Sequence, residues 1–230
     1  MRKICAAWLL LFFTAISFAQ NNTDDVISKV IDAQGGKEKL LAIKTIQMKG
    51  NIEFSGQKIP FSVYGIDKKS SRTEFMFSGL TGYTIVTNDS GFNFNPFQGM
   101  SSPENMTAED VKLAQNDLDQ QGILLNYKDK GYTVEQLENE DVDGVDAIQL
   151  KIVITPNKTQ YYFIDPSNYY VIRIKTVSLS NGQQSRNSSD YYNFKKTKEG
   201  VLIPFTFDNI TFDTVELNVP LDDKLFKPTR

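Results

Sequence analysis

The 230-residue chain has no histidine, one cysteine and one tryptophan. Cys5 and Trp8 both lie in the first twenty residues, a stretch expected to be removed. The mature chain then has no imidazole, no thiolate and no indole. That excludes zinc held by Cys and His, and it excludes Cys–His and Ser–His–Asp nucleophilic machinery. Catalysis would have to rest on carboxylates, lysines, tyrosines or a borrowed cofactor. The expectation is a non-enzyme with no cofactor and no metal. A basic stripe is also missing. Without Arg2 and Lys3 the chain keeps 23 basic residues against 28 acidic ones, a net charge of −5, and no nucleic-acid partner is expected.

Long apolar runs are confined to the start, MRKICAAWLLLFFTAISFAQ. Arg2 and Lys3 form a positive n-region, Ala6 to Ile16 an apolar h-region, and Ser17-Phe18-Ala19 a small-x-small cleavage signal. The run is too short to span a bilayer, and no later run is long enough. Residues 1–19 therefore read as a signal peptide, with a mature chain from about Gln20 that is exported, periplasmic and soluble. A lipid-modified Cys would follow the h-region, whereas Cys5 precedes it.

Residues 20–230 read as a single domain without linker or repeat. Thr23-Asp24-Asp25 starts a helix whose apolar stripe is Val26, Ile27, Val30 and Ile31, closed by Gly35-Gly36. A short helical piece over Lys37 to Ile43 follows. From Thr45 the period is two, with Ile46, Met48, Ile52 and Phe54 on one face and Gln47, Lys49, Asn51 and Glu53 on the other. Turns at Gly56-Gln57, Lys68 to Ser71 and Asn88 to Gly91 make an antiparallel meander. Thr107-Ala108-Glu109-Asp110 resembles a capping box, predicting a helix from Thr107 to about Tyr127 interrupted near Gly122. Strands are then predicted over Thr133–Asn139, Val145–Ile154, Thr159–Ile164, Tyr169–Leu179, Ser185–Lys195, Leu202–Phe207 and Ile210–Val219. The predicted fold is mainly β: one curled antiparallel sheet of about eleven strands, an incomplete barrel with helices covering its concave face.

Strand Thr159–Ile164 poses a question. Tyr161 and Phe163 face one way and Tyr162 and Ile164 the other, so both faces of the sheet must be covered or hold something apolar.

Several motifs carry little chemistry. Asn139 to Gly144 begins like a calcium loop, but the twelfth position is Leu150 and strands flank it; Asp143-Gly144 reads as a hairpin turn. Asp24/Asp25, Glu109/Asp110 and Asp222/Asp223 sit at helix starts or near the C-terminus, where capping and solvation account for them. The Asn-x-Ser/Thr triplets fit a chain rich in Asn and Ser. Gly91 to Met100 is different. It is aromatic, bounded by Gly and outside any regular period, so it reads either as a strand end folded over the core or as a flap over an apolar cavity, with Gly91 and Gly99 as hinges.

Gly35-Gly36-Lys37-Glu38-Lys39-Leu40-Leu41-Ala42-Ile43-Lys44-Thr45-Ile46 and Met48-Lys49-Gly50 resemble the opening of outer-membrane lipoprotein-sorting-like proteins of Bacteroidetes. These are distant relatives of the LolA and LolB lipoprotein carriers. Asn126 to Tyr132, the Glu140–Gly144 turn before Ile148 to Lys151, Tyr162 to Pro166 and Val219 to Pro228 resemble them too. The resemblance implies a LolA-like half-barrel with a cavity for a lipid or lipoprotein acyl chain, bound without chemistry by a monomer. The alternative is an envelope module, such as a stress sensor, that docks a protein partner or membrane surface. Candidate lining residues are Phe54, Phe61, Phe75, Phe77, Tyr83 and Tyr162, with Phe92, Phe94, Phe97 and Met100 of the flap. Arg72 has two readings: a counterpart of the carriers' functional arginine, or a sheet-surface partner of Glu74.

Overall fold

A computed structural model describes residues 22–229; the expected signal peptide and Cys5 lie outside the described residues. Helix α1 (residues 22–33) buries Val26, Ile27 and Val30. It stops at Gly35 and Gly36, both in the left-handed region (φ 122 and 92). Gly35 is also a close approach, since a Cβ there would stand 2.6 Å from the Gly200 carbonyl oxygen. α2 (Lys37–Leu41) follows and buries Leu40.

Among the described residues, fourteen strands then form one antiparallel sheet. The first arm is β1 (Thr45–Phe54), β2 (Gln57–Ile66), β3 (Ser70–Phe77), β4 (Leu80–Thr87), β5 (Gly91–Phe94) and the two-residue β6 (Glu104–Asn105). The second holds β7 (Thr133–Gln136), β8 (Glu140–Val142), β9 (Val145–Thr155), β10 (Lys158–Ile164), β11 (Val171–Ser180) and β12 (Gln183–Lys196), with β13 (Leu202–Phe207) and β14 (Ile210–Leu217) joining the arms. The spatial order β6-β5-β4-β3-β2-β1-β14-β13-β12-β11-β10-β9-β7 leaves the ends unpaired, so the barrel is incomplete. The strand that closes β1 to the rest is β14, through Ile46–Leu217 and Met48–Val215 pairs.

The structure corrects the sequence reading in two places. The helix expected to Tyr127 ends early: α3 covers Ala108–Gln115, a 3-10 turn covers Asn116–Leu118, and irregular turns follow. Thr107 caps α3 by accepting a bond from the Asp110 N–H. Asp119 is extended and Gly122 left-handed (φ 95), which a helix cannot accommodate. The expected strand Thr133–Asn139 is shorter, ending as β7 at Gln136, and a further strand, β8, forms over Glu140–Val142 where only a turn was expected; both pair with β9. The β8–β9 turn has Asp143 and Gly144 at φ 52 and 88, the pair of positive values of a type I′ hairpin.

Both faces of β10 are covered. Tyr162 and Ile164 lie under α1 with Val26, Val30, Leu150 and Ile152. Phe163, fully buried, sits on the other face under β8 with Val142 and Ala147, and the Lys175 ammonium lies 4.6 Å from its ring centroid.

The C-terminal tail covers the outer face of the first arm. Its 3-10 turn Asp223–Phe226 places Phe226 against Tyr64, Tyr83 and Ile85. Arg72, 7% exposed, bonds Glu74 at 2.6 Å, donates to the Leu225 carbonyl at 3.1 Å and stacks over Tyr83 at 4.3 Å. That is the pairing reading, with the tail as an added partner. Arg72→Met should cost about 2–4 kcal/mol, because a half-buried carbonyl and a half-buried carboxylate lose their donor. Urea unfolding measures it, and limited proteolysis should then release the tail first.

Candidate functional site

The concave face is identified by what packs on it. A Cβ on Gly91 would meet Met106 Sδ at 2.6 Å and Val111 at 2.9 Å, and one on Gly65 would meet Gln120 at 2.7 Å. The α3 region therefore covers the face of Gly65 and Gly91. Alternation and register place Met48, Ile52, Phe61, Val63 and Phe75 on that same face. They form one cluster with Phe205, Phe207 and Phe212 from β13 and β14. Ring centroids are 6.1 Å apart for Phe61–Phe212 and 5.7 Å for Phe207–Phe212. No residue of α1, α2 or α3 belongs to this cluster. α1 and α2 instead pack on Leu150, Ile152 and Tyr162, and on Ile46, Ile203 and Leu217.

The aromatic cluster, in which Phe61, Phe205 and Phe212 are buried, runs out to an exposed rim. Phe97, on the 3-10 turn Pro96–Gln98, stacks on Phe75 at 5.6 Å and on Phe77 at 5.7 Å. Phe97 and Phe77 are 40% exposed, and Phe54 at the β1–β2 tip is 65% exposed. Met100 folds back on the same turn, its sulfur accepting the Asn95 N–H at 3.2 Å. Tyr162 lines a separate small cavity of about 120 Å³ with Gln34, Tyr191 and Phe194. That volume holds about four water-sized groups. Burial holds the Tyr162 phenol well above its ordinary range and pushes Tyr191 up to about 12.

Of the expected lining residues, Tyr162 lies under α1 outside the aromatic cluster, and three lie on the other face. Tyr83, Phe92 and Phe94 point to the outer face, because the Arg72–Ile85–Phe92 register and the Tyr83–Phe94 pair put them with the tail cluster. Phe94 packs on Tyr83 at 5.5 Å. The proposed flap is thus divided: Phe92 and Phe94 belong to a paired strand, and only Phe97 and Met100 border the concave side. Gly91 is not at positive φ, whereas Gly99 (φ 83) ends the 3-10 turn.

A strap, residues 107–121 including α3, ties the two arms across this face. On the first arm, the Asn88 carbonyl accepts from Gln115 of α3 at 2.7 Å, and the Lys68 N–H donates to the Leu118 carbonyl at 2.9 Å. Gln120 and Gln121 donate to the Asp67 carboxylate, which burial shifts upward in pKa. From the second arm, Lys158 donates to Asp117 at 2.7 Å and to the Leu113 carbonyl at 3.2 Å. Asp110 accepts from Ser180 at 2.6 Å, and the Asn181 N–H donates to Glu109 at 2.9 Å.

The Ser180 and Thr107 hydroxyls hold the Asp110 carboxyl below its ordinary value of 3.8. A depressed acid stabilises the fold above its unfolded pKa, and that contribution vanishes as pH falls through the folded value. Stability should therefore decline below about pH 4, and Asp110→Asn should show a shallower decline in the acid branch. Urea midpoints at pH 6 and pH 3 for both proteins check this.

No family model and no curated protein matches the sequence. Solved structures do. A LolA superfamily protein from Nitrosomonas europaea is 14% identical, with TM-score 0.53, covering 89% of this chain and 97% of that one. A DUF1329 family protein from Desulfovibrio piger is 12% identical, with TM-score 0.52 and the same coverages, 89% and 97%. At these identities the likeness is one of fold: this chain has a LolA-like half-barrel.

Proposed function

We propose that the protein is an exported, periplasmic binding or carrier protein for a lipid or lipoprotein acyl chain, working as a monomer and without chemistry. The observation that carries this reading is the aromatic cluster of Phe61, Phe75, Phe207 and Phe212, which has no member from a helix; Phe61 and Phe212 are buried in it, and Phe54, Phe77 and Phe97 stand exposed at its rim. Among the described residues no cluster could hold a metal ion and no helix is long and apolar enough to cross a membrane. The binding energy comes from burial, about 0.8 kcal/mol for each methylene. Eight methylenes contribute about 6 kcal/mol before the costs of ordering and association are met. Release requires only an equally apolar acceptor, a membrane or a second protein.

Native mass spectrometry of the processed protein tests this reading. Adducts with masses of acylated lipids, removed by organic extraction, are expected. An apo protein that takes up no added acyl chain contradicts it. A protein-docking role is the second reading, favoured by Phe54, Met76, Phe77 and Leu80, each at least 40% exposed near the β1–β2 and β3–β4 tips. In that case tip substitutions abolish partner capture while acyl chains never bind.

A further inference from the structure

The concave face has two chemically different walls. The wall built by β1–β3, β13 and β14 is aromatic and aliphatic. On the opposite arm, cross-strand register aligns Gln160, Thr176 and Asn187 in one row, and Lys158, Ser178 and Ser185 in the next. Ser189 stands beside Ile174, and Ile174 beside Tyr162. Alternation puts all of these on the face of Tyr162, the concave one. The strap confirms the side, since Lys158 reaches from it to Asp117 and the Leu113 carbonyl.

This second wall is polar yet almost uncharged. Lys158, 5% exposed, is its one cation and is already matched by Asp117. Ser178 and Ser185 hydroxyls bond each other at 2.7 Å. Gln160 is different. It is 9% exposed, its Nε2 donates to Thr176 Oγ1 at 3.3 Å, and its Oε1 is buried without a partner. Exchanging the amide oxygen and nitrogen would only move the vacancy to the nitrogen, because Thr176 can satisfy one of them. A buried amide left half-satisfied is costly unless something supplies the missing bond.

We infer that the Gln160–Thr176–Asn187 row is a subsite for an uncharged hydrogen-bonding group, a hydroxyl or amide N–H, attached to the acyl chain. The chain lies on the aromatic wall while its polar linkage meets the opposite wall. A free carboxylate or phosphate finds no unpaired cation in this row. Binding such a group there would strip its water without a counter-charge. The inference rests on the acyl-chain reading and adds the chemistry of the head.

The test compares three twelve-carbon probes below their micelle concentrations at pH 7.5: monolauroyl glycerol, laurate and lauroyl lysophosphatidylglycerol. The expected result is that monolauroyl glycerol binds at least tenfold tighter than either anion. Gln160→Leu should reduce that preference to less than threefold and leave laurate affinity unchanged, with the thermal unfolding curve confirming an intact fold. Four results overturn the inference. Equal binding of all three probes, or a preference that survives Gln160→Leu, sinks it and leaves the acyl-chain reading standing. A preference for the anions that disappears in Lys195→Ala places the head instead at Lys195, whose ammonium lies 4.7 Å from the Phe205 ring centroid. Binding of none of the probes overturns the acyl-chain reading as well.

Discussion

Phe163→Ala should lower the unfolding free energy by about 3–5 kcal/mol and leave acyl-chain affinity of the folded protein unchanged. Phe163 is fully buried, on the outer face of β10, beneath the β8 hairpin and away from the concave aromatic surface. Truncation leaves a cavity among Val142, Ala147, Val145, Tyr161 and Ile172. The loss is a large share of a typical total of about 5–15 kcal/mol, so the variant remains folded but melts early. Urea unfolding gives the stability, and probe titration well below the melting temperature gives the affinity. A drop in affinity with unchanged stability would mean that β8 is a mobile cover over a site on the wrong side of the sheet.

The reverse pattern is expected at the rim. Phe75→Ala combined with Phe97→Ala should weaken acyl-chain binding at least tenfold. Phe97 is 40% exposed and stacks on Phe75 and Phe77, so the pair contributes contact area to a ligand more than closure to a core. The stability loss should be about 1–2 kcal/mol, below that of Phe163→Ala. Phe94→Ala is the internal control. It sits across the sheet against Tyr83, and its truncation should behave as a core change without affecting binding. If the Phe75/Phe97 variant binds normally, the rim is no part of the site.

The contrast between Phe94 and Phe97 shows where sequence reasoning reached its limit. Period-two alternation placed the meander strands and the hairpin turns, because each follows from a few neighbouring side chains and a positive-φ pair such as Asp143-Gly144. Alternation says which residues share a face, yet not which face is concave. That depends on β1 pairing with β14, more than 150 residues away, and on α3 crossing between the arms. Phe92, Phe94 and Phe97 look alike as a cluster, but strand pairing sends the first two outward and a 3-10 turn returns the third. Phe205, Phe207 and Phe212 were missed for the same reason. Their alternation about the Asp208-Asn209 turn was visible, but their meeting with Phe61 required the β1–β14 closure. Helix α3 was overextended because its cap was legible and its end was not. Asp67, distant in sequence, and Lys130 hold residues 119–121 in turns by bonds to Gln120, Gln121 and Asp119.

The dependence of affinity on acyl-chain length tests the central claim most directly. If the aromatic surface buries the chain, affinity for monoacylglycerols from eight to fourteen carbons should rise about fourfold for each added methylene, the equivalent of about 0.8 kcal/mol, until the surface is filled. The Phe75/Phe97 variant should reach its plateau at a shorter chain. An affinity that does not change with chain length, or that tracks only the head group, would contradict burial of an acyl chain on the concave face.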